Sequence, residues 1–281
     1  DDIWIGTYIG LFLLSDAATS SISPSYQPEF LHLNADTYTA TGLPSAIIIK
    51  VIKDRTGVVW AATFHHGAFR YHPEYASVHF QPVYNSNRHT EDNFSSIWGF
   101  AENKENSLYL VSQQKGLGKI LNDTGNVTFY DYFNTLDPSI TYWDIEIDDR
   151  DNIWIASSSG LLVFEDTSQG LVLLKEYFKG SFIDHIFKSE SAIWLRLGNG
   201  NIYAIDFNDI NNTSDNSEIS KVTISSDYGK SLAIFEDNRK IWFRAGENLL
   251  VYSLDENKVV QVLDSSNGIN SLVYGIHKTS S

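Results

Sequence analysis

Short apolar runs separated by polar, often glycine-bearing turns recur along the whole chain, and they come in a fixed order. A near-continuous apolar stretch is followed by an acidic or amide-rich turn, then a run centred on Trp or Tyr, then a second turn and a third run. Residues 42–73 show this most clearly. They carry IIIKVI at 47–52, the turn Asp54-Arg55-Thr56-Gly57, VVWAAT at 58–63, a turn at 64–67 and AFRY at 68–71, with a less regular run at 78–83. A stretch that is apolar throughout suits a strand covered on both faces. Gly57 supplies the positive φ that a tight return needs, and the β-branched and aromatic residues favour extended chain. The unit therefore predicts four antiparallel strands.

The pattern repeats around six anchors, Trp4, Trp60, Tyr109, Trp154, Trp194 and Trp242, spaced by 56, 49, 45, 40 and 48 residues. Apolar runs at 47–52, 97–101, 142–147, 182–187 and 231–235 precede all the anchors but the first. A matching run with no anchor after it lies at 271–277. Joining the ends puts Trp4 43 residues after Trp242, within the range of the other spacings. Such a period, with several short strands per unit, predicts an all-β protein, a β-propeller of four-stranded blades. Six blades are read, or seven if residues are missing, with the ring closed by strands from both termini so that two sheet edges are hidden. Each bulky anchor is expected to wedge between adjacent blades. The polar stretches 15–43 and 208–218 read as loops or outer-strand excursions, leaving 1–281 as a single domain.

Composition narrows the function. Twenty Lys and Arg face 35 Asp and Glu, a net charge of −15, which argues against nucleic acid because phosphate binding needs clustered bases. The absence of Cys removes disulfides and thiolate metal sites. No apolar helical stretch of about 18 or more residues occurs, so no membrane segment is expected in this chain. The chain begins at Asp1 and contains no Met, which points to a portion of a longer protein.

On a propeller, loops between second and third strands share one face with the starts of the inner strands. Mapping the repeat puts Tyr8, His65, His66, Gln113, Gln114, Lys115, Ser158, Asn199 and Glu247 on those loops. Trp98, Tyr142, Trp143, Asp184, His185, Tyr228 and Asn270 fall near the inner-strand starts. Aromatics beside amides and carboxylates suit an oligosaccharide, stacking on ring faces while bonding hydroxyls. The plain alternative is that these are ordinary loop residues. His65, His66, His72 and His79 are the one histidine cluster, but adjacent turn residues and strand-end residues do not converge as zinc ligands must. Asp148, Arg150 and Asn152 alternate like a calcium loop, yet Arg150 at a ligand position favours an Asx-type hairpin turn. No nucleophile elbow, zincin helix or phosphate-cradling loop occurs, so no catalytic residue, metal or cofactor is assigned. A pair such as Asp144 and Glu247 would support glycoside cleavage only at a suitable separation.

The 42–73 unit, with Ile3-Trp-Ile-Gly-Thr7, Gly10-Leu-Phe12 and residues 148–164, resembles the two-component regulator propeller repeat. The Tyr109 copy lacks the Trp, and the Trp194 copy lacks the Thr and the Gly-Leu pair. The resemblance implies a periplasmic sensor module of a membrane-bound bacterial receptor, upstream of a kinase or cyclase. Such a module binds a ligand, often a saccharide, or packs as a homodimer within the receptor, and does no chemistry itself. Two readings stand beside it: a polysaccharide lyase or glycoside hydrolase on the same scaffold, and a protein-interaction scaffold.

Overall fold

The computed structural model describes residues 3–7, 10–14, 31–33, 47–64, 67–71, 96–121, 127–207, 220–222, 231–237, 239–245 and 248–263. Among these, six antiparallel sheets follow one another along the sequence, and in each the strands pair in sequence order. Sheet I holds β1 (Ile3–Thr7), β2 (Gly10–Leu14) and β3 (Leu31–Leu33), and sheet II holds β4 (Ile48–Lys53), β5 (Val59–Thr63) and β6 (Ala68–Tyr71). Sheet III is β7 (Ile97–Glu102), β8 (Leu108–Ser112), β9 (Gly116–Ile120) and β10 (Val127–Phe129). Sheet IV is β11 (Tyr142–Ile147), β12 (Ile153–Ser157), β13 (Gly160–Thr167) and β14 (Gly170–Tyr177). Sheet V is β15 (Ile183–Lys188), β16 (Ala192–Leu197), β17 (Ile202–Asp206) and β18 (Ser220–Val222). Sheet VI is β19 (Ser231–Asp237), β20 (Lys240–Ala245), β21 (Asn248–Ser253) and β22 (Lys258–Leu263).

The apolar runs that precede the anchors are thus the first strands of sheets II to VI. The 15–43 stretch contributes β3 as an outer strand. The strands expected at 78–83 and 271–277 lie outside the described residues. The chain divides into two compact units, residues 1–145 and 146–281. Packing is described within each.

The anchors act as inter-sheet wedges in both units. In the first, the Trp4 ring lies 5.2 Å from Tyr71 and Trp60 lies 6.3 Å from Phe100 of the next sheet. In the second, Trp154 meets Phe207 at 6.1 Å and Trp194 meets Phe243 at 5.9 Å. Trp154 is fully buried among Ile183, Ile186 and Ile205. Cutting such a ring back to Ala costs about 3–5 kcal/mol, so the anchors are a principal source of cohesion between neighbouring sheets.

One turn design joins first to second strands. Asp148 Oδ1 accepts the Arg150 and Asn152 N–H groups at 2.8 and 3.0 Å, while Oδ2 accepts Asn152 Nδ2 at 2.8 Å and the Trp154 indole N–H at 3.0 Å. Asp54 repeats this with the Thr56 and Val58 N–H groups at 2.9 and 3.0 Å and the Trp60 indole at 2.8 Å. Asn103 keeps the backbone half, accepting the Glu105 and Ser107 N–H groups, and the residue six positions on is Tyr109, which has no indole. The Asx-type turn is therefore the form taken at Asp148, and the anchor's own N–H completes it. Where Lys188 or Glu236 stands six residues before the Trp, the Trp194 and Trp242 Nε1 atoms are buried with no hydrogen-bond partner among the described residues.

These turns also clamp neighbouring sheets. The Arg55 guanidinium donates to the Asn103 and Lys104 carbonyls at 2.9 and 3.1 Å. Lys188 reaches Asp149 at 2.9 Å, and Arg150 reaches the Phe207 carbonyl at 3.1 Å. No helix among the described residues is long and apolar enough to cross a membrane.

Candidate functional site

The first strands carry an irregularity that sets the site. Their pairing slips by one residue between Ile48 and Lys50, between Ile97 and Gly99, and between Ile183 and His185. Ile49, Trp98 and Asp184 are the extra residues. A bulge of this kind bends the strand and re-aims its side chains, which is how Trp98 escapes burial within the sheet.

The loops between second and third strands are tied to the same ends. Phe64 N–H donates to the Ile47 carbonyl at 3.1 Å, Gln113 N–H to Ser96 at 3.0 Å and Gly198 N–H to Phe182 at 2.8 Å. Each of the middle loops also accepts a bond from the strand entry that follows: Tyr142 N–H to the Gln113 carbonyl at 3.0 Å, and Gly180 N–H to Ser159 at 2.7 Å. Within each of these sheets the loop and the start of the first strand therefore lie at the same end. Hydroxyls at the close of the second strand hold these loops. Thr63 Oγ1 donates to the Gly67 carbonyl at 2.8 Å and Ser157 Oγ to Gly160 at 2.7 Å. In sheet V, which has Leu197 at that place, Asn199 Oδ1 instead accepts the Asn201 N–H at 3.0 Å.

In the first unit this end gathers three aromatic rings. Phe64 meets Trp98 edge-on at 6.1 Å, and Trp98 meets Trp143 at 4.8 Å and 64°. Both indoles are half-buried. Trp143 Nε1 donates to Thr141 Oγ1 at 3.0 Å, whereas the buried Trp98 Nε1 has no partner among the described residues. Beside the rings, Lys50 of β4 reaches Asp144 of β11, Nζ to Oδ1 at 2.9 Å, with side chains 28% and 6% exposed. Asp144 Oδ1 also accepts the Ile145 N–H at 3.0 Å. Gly99 of β7 makes the reach possible, since a Cβ there would come within 3.1 Å of Asp144 Oδ1 and 2.9 Å of Ile145 Cγ2.

Gln113, Gln114 and Lys115 form the adjoining loop, with Gln114 exposed and the Lys115 ammonium 5.5 Å from the Phe129 ring centre. A 3-10 helix, Asp131–Thr135, props this loop by placing Phe133 against Gly116. Phe133 also meets the buried Tyr142 ring at 5.0 Å and 86°. Burial, with a smaller contribution from Tyr132, pushes the Tyr142 phenol up to about 12. A phenol so held stays protonated at neutral pH and is a poor general base.

In the second unit Asp184 is committed to Arg196, whose Nη2 lies 2.6 and 2.8 Å from its two oxygens, and Arg196 is 7% exposed. His185 sits opposite Arg196 in the ladder. Ser158 is half-buried, and Phe182 lies 39% exposed over Gly198. Tyr8, His65, His66, Tyr228, Glu247 and Asn270 lie outside the described residues, as do His72 and His79. Among the described residues no three His, Asp or Glu side chains group as metal ligands.

Sequence reasoning missed Lys50, Phe64, Gly99 and Phe133. Lys50 had a signal, being a charge inside an otherwise apolar run. Gly99 had none, because its role depends on a contact between two sheets.

No protein-family model matches the sequence, and no curated protein matches it. Solved structures do. Virginiamycin B lyase from Staphylococcus aureus superposes with a TM-score of 0.67 at 13% identity, over 94% of this chain and 80% of that one. The extracellular domain assigned to a hybrid two-component system of B. thetaiotaomicron superposes at 0.69 with 19% identity. There 96% of this chain is covered but only 34% of that domain, so the chain spans about a third of its length. A nidogen/laminin complex chain gives 0.61 at 10% identity over 98% and 96%. The chain has a β-propeller fold. A lyase, a signalling ectodomain and a nidogen/laminin complex chain share it at low identity, so the fold alone selects none of their activities.

Proposed function

We propose that this chain is a single non-catalytic propeller domain, the extracytoplasmic ligand-sensing part of a bacterial signal-transduction receptor. The observation that carries the reading is the Phe64, Trp98 and Trp143 cluster at the loop end of the first unit, beside the Lys50–Asp144 pair and the Gln113 to Lys115 loop. Partly exposed rings next to amides and an ion pair offer apolar faces and directed hydrogen bonds together, the chemistry of a saccharide site. The extracellular domain of the two-component protein supports the setting. The non-catalytic part rests on engaged groups: Asp144 and Asp184 are each ion-paired, and Tyr142 is held protonated. Ligand contact would act by population shift, favouring one placement of two receptor copies over another.

A second reading, contact with a partner protein, has one observation in its favour. The outer strand β14 exposes Val172, Leu173 and Leu174 in succession on an edge that pairs with no further strand among the described residues, which invites another strand.

Thermal-shift screening against plant, algal and host oligosaccharides, with product analysis of each mixture, tests the proposal. A rise in melting temperature with intact sugar is the expected result. Cleaved product would replace the sensor with an enzyme, and silence across the panel would shift the weight to protein contact.

A further inference from the structure

We infer that Asp184 and Arg196 of sheet V form a ligand-binding site of the second unit, which seats a hydroxyl of a neutral saccharide between carboxylate and guanidinium; this rests on the sensing reading above. The pair lies at the loop end of its sheet. Arg196 is the last residue but one of β16, and Gly198, just beyond that strand, donates its N–H to the Phe182 carbonyl at the entry to β15. Asp184 is the extra residue at the β15 bulge, and its two oxygens both reach Arg196 Nη2.

The fold does not ask for a charge at this place. Two residues after the anchor, sheets II to IV carry Ala62, Val111 and Ala156, all wholly buried, where sheet V carries Arg196 and sheet VI carries Arg244. A small apolar residue therefore completes the same position of the repeat, and apolar replacement of a buried ion pair is commonly neutral or stabilising. Arg196 is also under-used by the protein. Nη2 is the one guanidinium nitrogen with a partner among the described residues, and Nε is buried with none. Burying a donor without an acceptor works against folding, so the guanidinium is retained for something other than cohesion.

Geometry decides the ligand class. Nη2 belongs to both of the two-nitrogen edges with which a guanidinium grips a carboxylate, and the Asp184 oxygens already hold it at 2.8 and 2.6 Å. A carboxylate on the ligand finds no free fork and meets the Asp184 charge as well. A hydroxyl fits, because it accepts and donates at once. Its oxygen accepts an Nη1 N–H, and its proton goes to an oxygen of Asp184, whose side chain is 31% exposed against 8% for Arg196.

The test measures affinity by calorimetry for chemically matched oligomers, β-1,4-mannopentaose against the β-1,4-mannuronate pentamer and cellopentaose against the β-1,4-glucuronate pentamer. A neutral member should bind about tenfold or more tightly than its uronate and stay insensitive to salt between about 0.05 and about 0.5 M. Arg196→Met/Asp184→Asn removes both charges together and leaves neither uncompensated. It should melt at the same temperature as the unaltered protein or higher, yet lose roughly ten- to a hundredfold in affinity for the neutral pentaose. Arg196→Lys keeps a cation beside Asp184 but lacks the planar set of donors, and should lose about tenfold. Neutral binding unchanged in both variants would overturn the inference while leaving the sensor reading intact. So would tighter, salt-sensitive binding of the uronates by the unaltered protein. A clearly lower melting temperature in the double variant would make the pair structural and overturn the inference too. Binding of neither class would overturn both.

Discussion

Asp148 and Trp154, six residues apart, close a hairpin on itself: the indole N–H donates to Oδ2 at 3.0 Å while Oδ1 holds the turn's backbone. The carboxylate is 2% exposed and the indole fully buried. Removing the acceptor strands several donors at once. Asp148→Ala is expected to destabilise the fold by about 2–4 kcal/mol. Asp148→Asn keeps the Oδ1 role but turns an N–H₂ toward the indole and Asn152 donors, so its cost should shrink in a Trp154→Tyr background, the Asn and Tyr combination that sheet III already uses. Urea titration of the two single variants and the double variant checks the coupling.

The same turn holds its fourth residue in the left-handed region. Gly57 does so at φ +90°, and Asn106, Asp151 and Arg239 do so at 61°, 63° and 58°. A side chain there costs about 1–2 kcal/mol, less for Asn and Asp. Arg239→Gly should therefore stabilise by about 0.5–1 kcal/mol, more than Asp151→Gly or Asn106→Gly. The Arg239–Asp255 ion pair that is lost is exposed at both ends, 67% and 65%, and offsets little of this. Melting temperatures of the three variants give the ranking.

How much of this was legible follows from what each residue depends on. The strands of sheet II could be read from β-branched runs and Gly57, because pairing within a hairpin is local. Trp60 as a wedge could be read from its size and its recurrence. Trp98, Trp143 and the Gln113 loop were placed at one end by the repeat alone, and the Gln113 hydrogen bonds to Ser96 and Tyr142 agree with that placement. What stayed hidden needs three sheets at once: Lys50 of β4 meets Asp144 of β11 past Gly99 of β7, and no spacing in the sequence encodes that reach. The 3-10 helix carrying Phe133 was hidden for another reason, since it is an insertion outside the repeat.

Tyr142 makes stability pH-dependent at the alkaline end. Its folded pKa is pushed up to about 12 from an ordinary 10.0. The unfolded chain therefore ionises this phenol first, and the contribution is fully present below pH 10.0 and lost as pH rises toward about 12. Tyr142→Phe removes the titration while keeping the ring against Phe133. The stability of the native protein should fall more steeply than that of the variant between pH about 10 and about 11.5. Urea midpoints at stepped pH read the difference, and parallel curves would refute it.

Gly116 and Gly57 both hold positive φ, at +71° and +90°, but their surroundings differ. A Cβ on Gly57 would meet nothing within 4 Å, whereas one on Gly116 would fall inside the Phe133 ring. Gly57→Ala should therefore cost only backbone strain, about 1–2 kcal/mol. Gly116→Ala should cost about 3–5 kcal/mol, strain plus displacement of the ring. Adding Phe133→Ala should recover part of that excess at Gly116 and none at Gly57, because only the first site has the ring to lose. The same displacement loosens the Gln113 to Lys115 loop from below. In the double variant any saccharide that shifts the melting temperature of the unaltered protein should bind more weakly, by about tenfold, since the loop would then have to be ordered at the moment of binding.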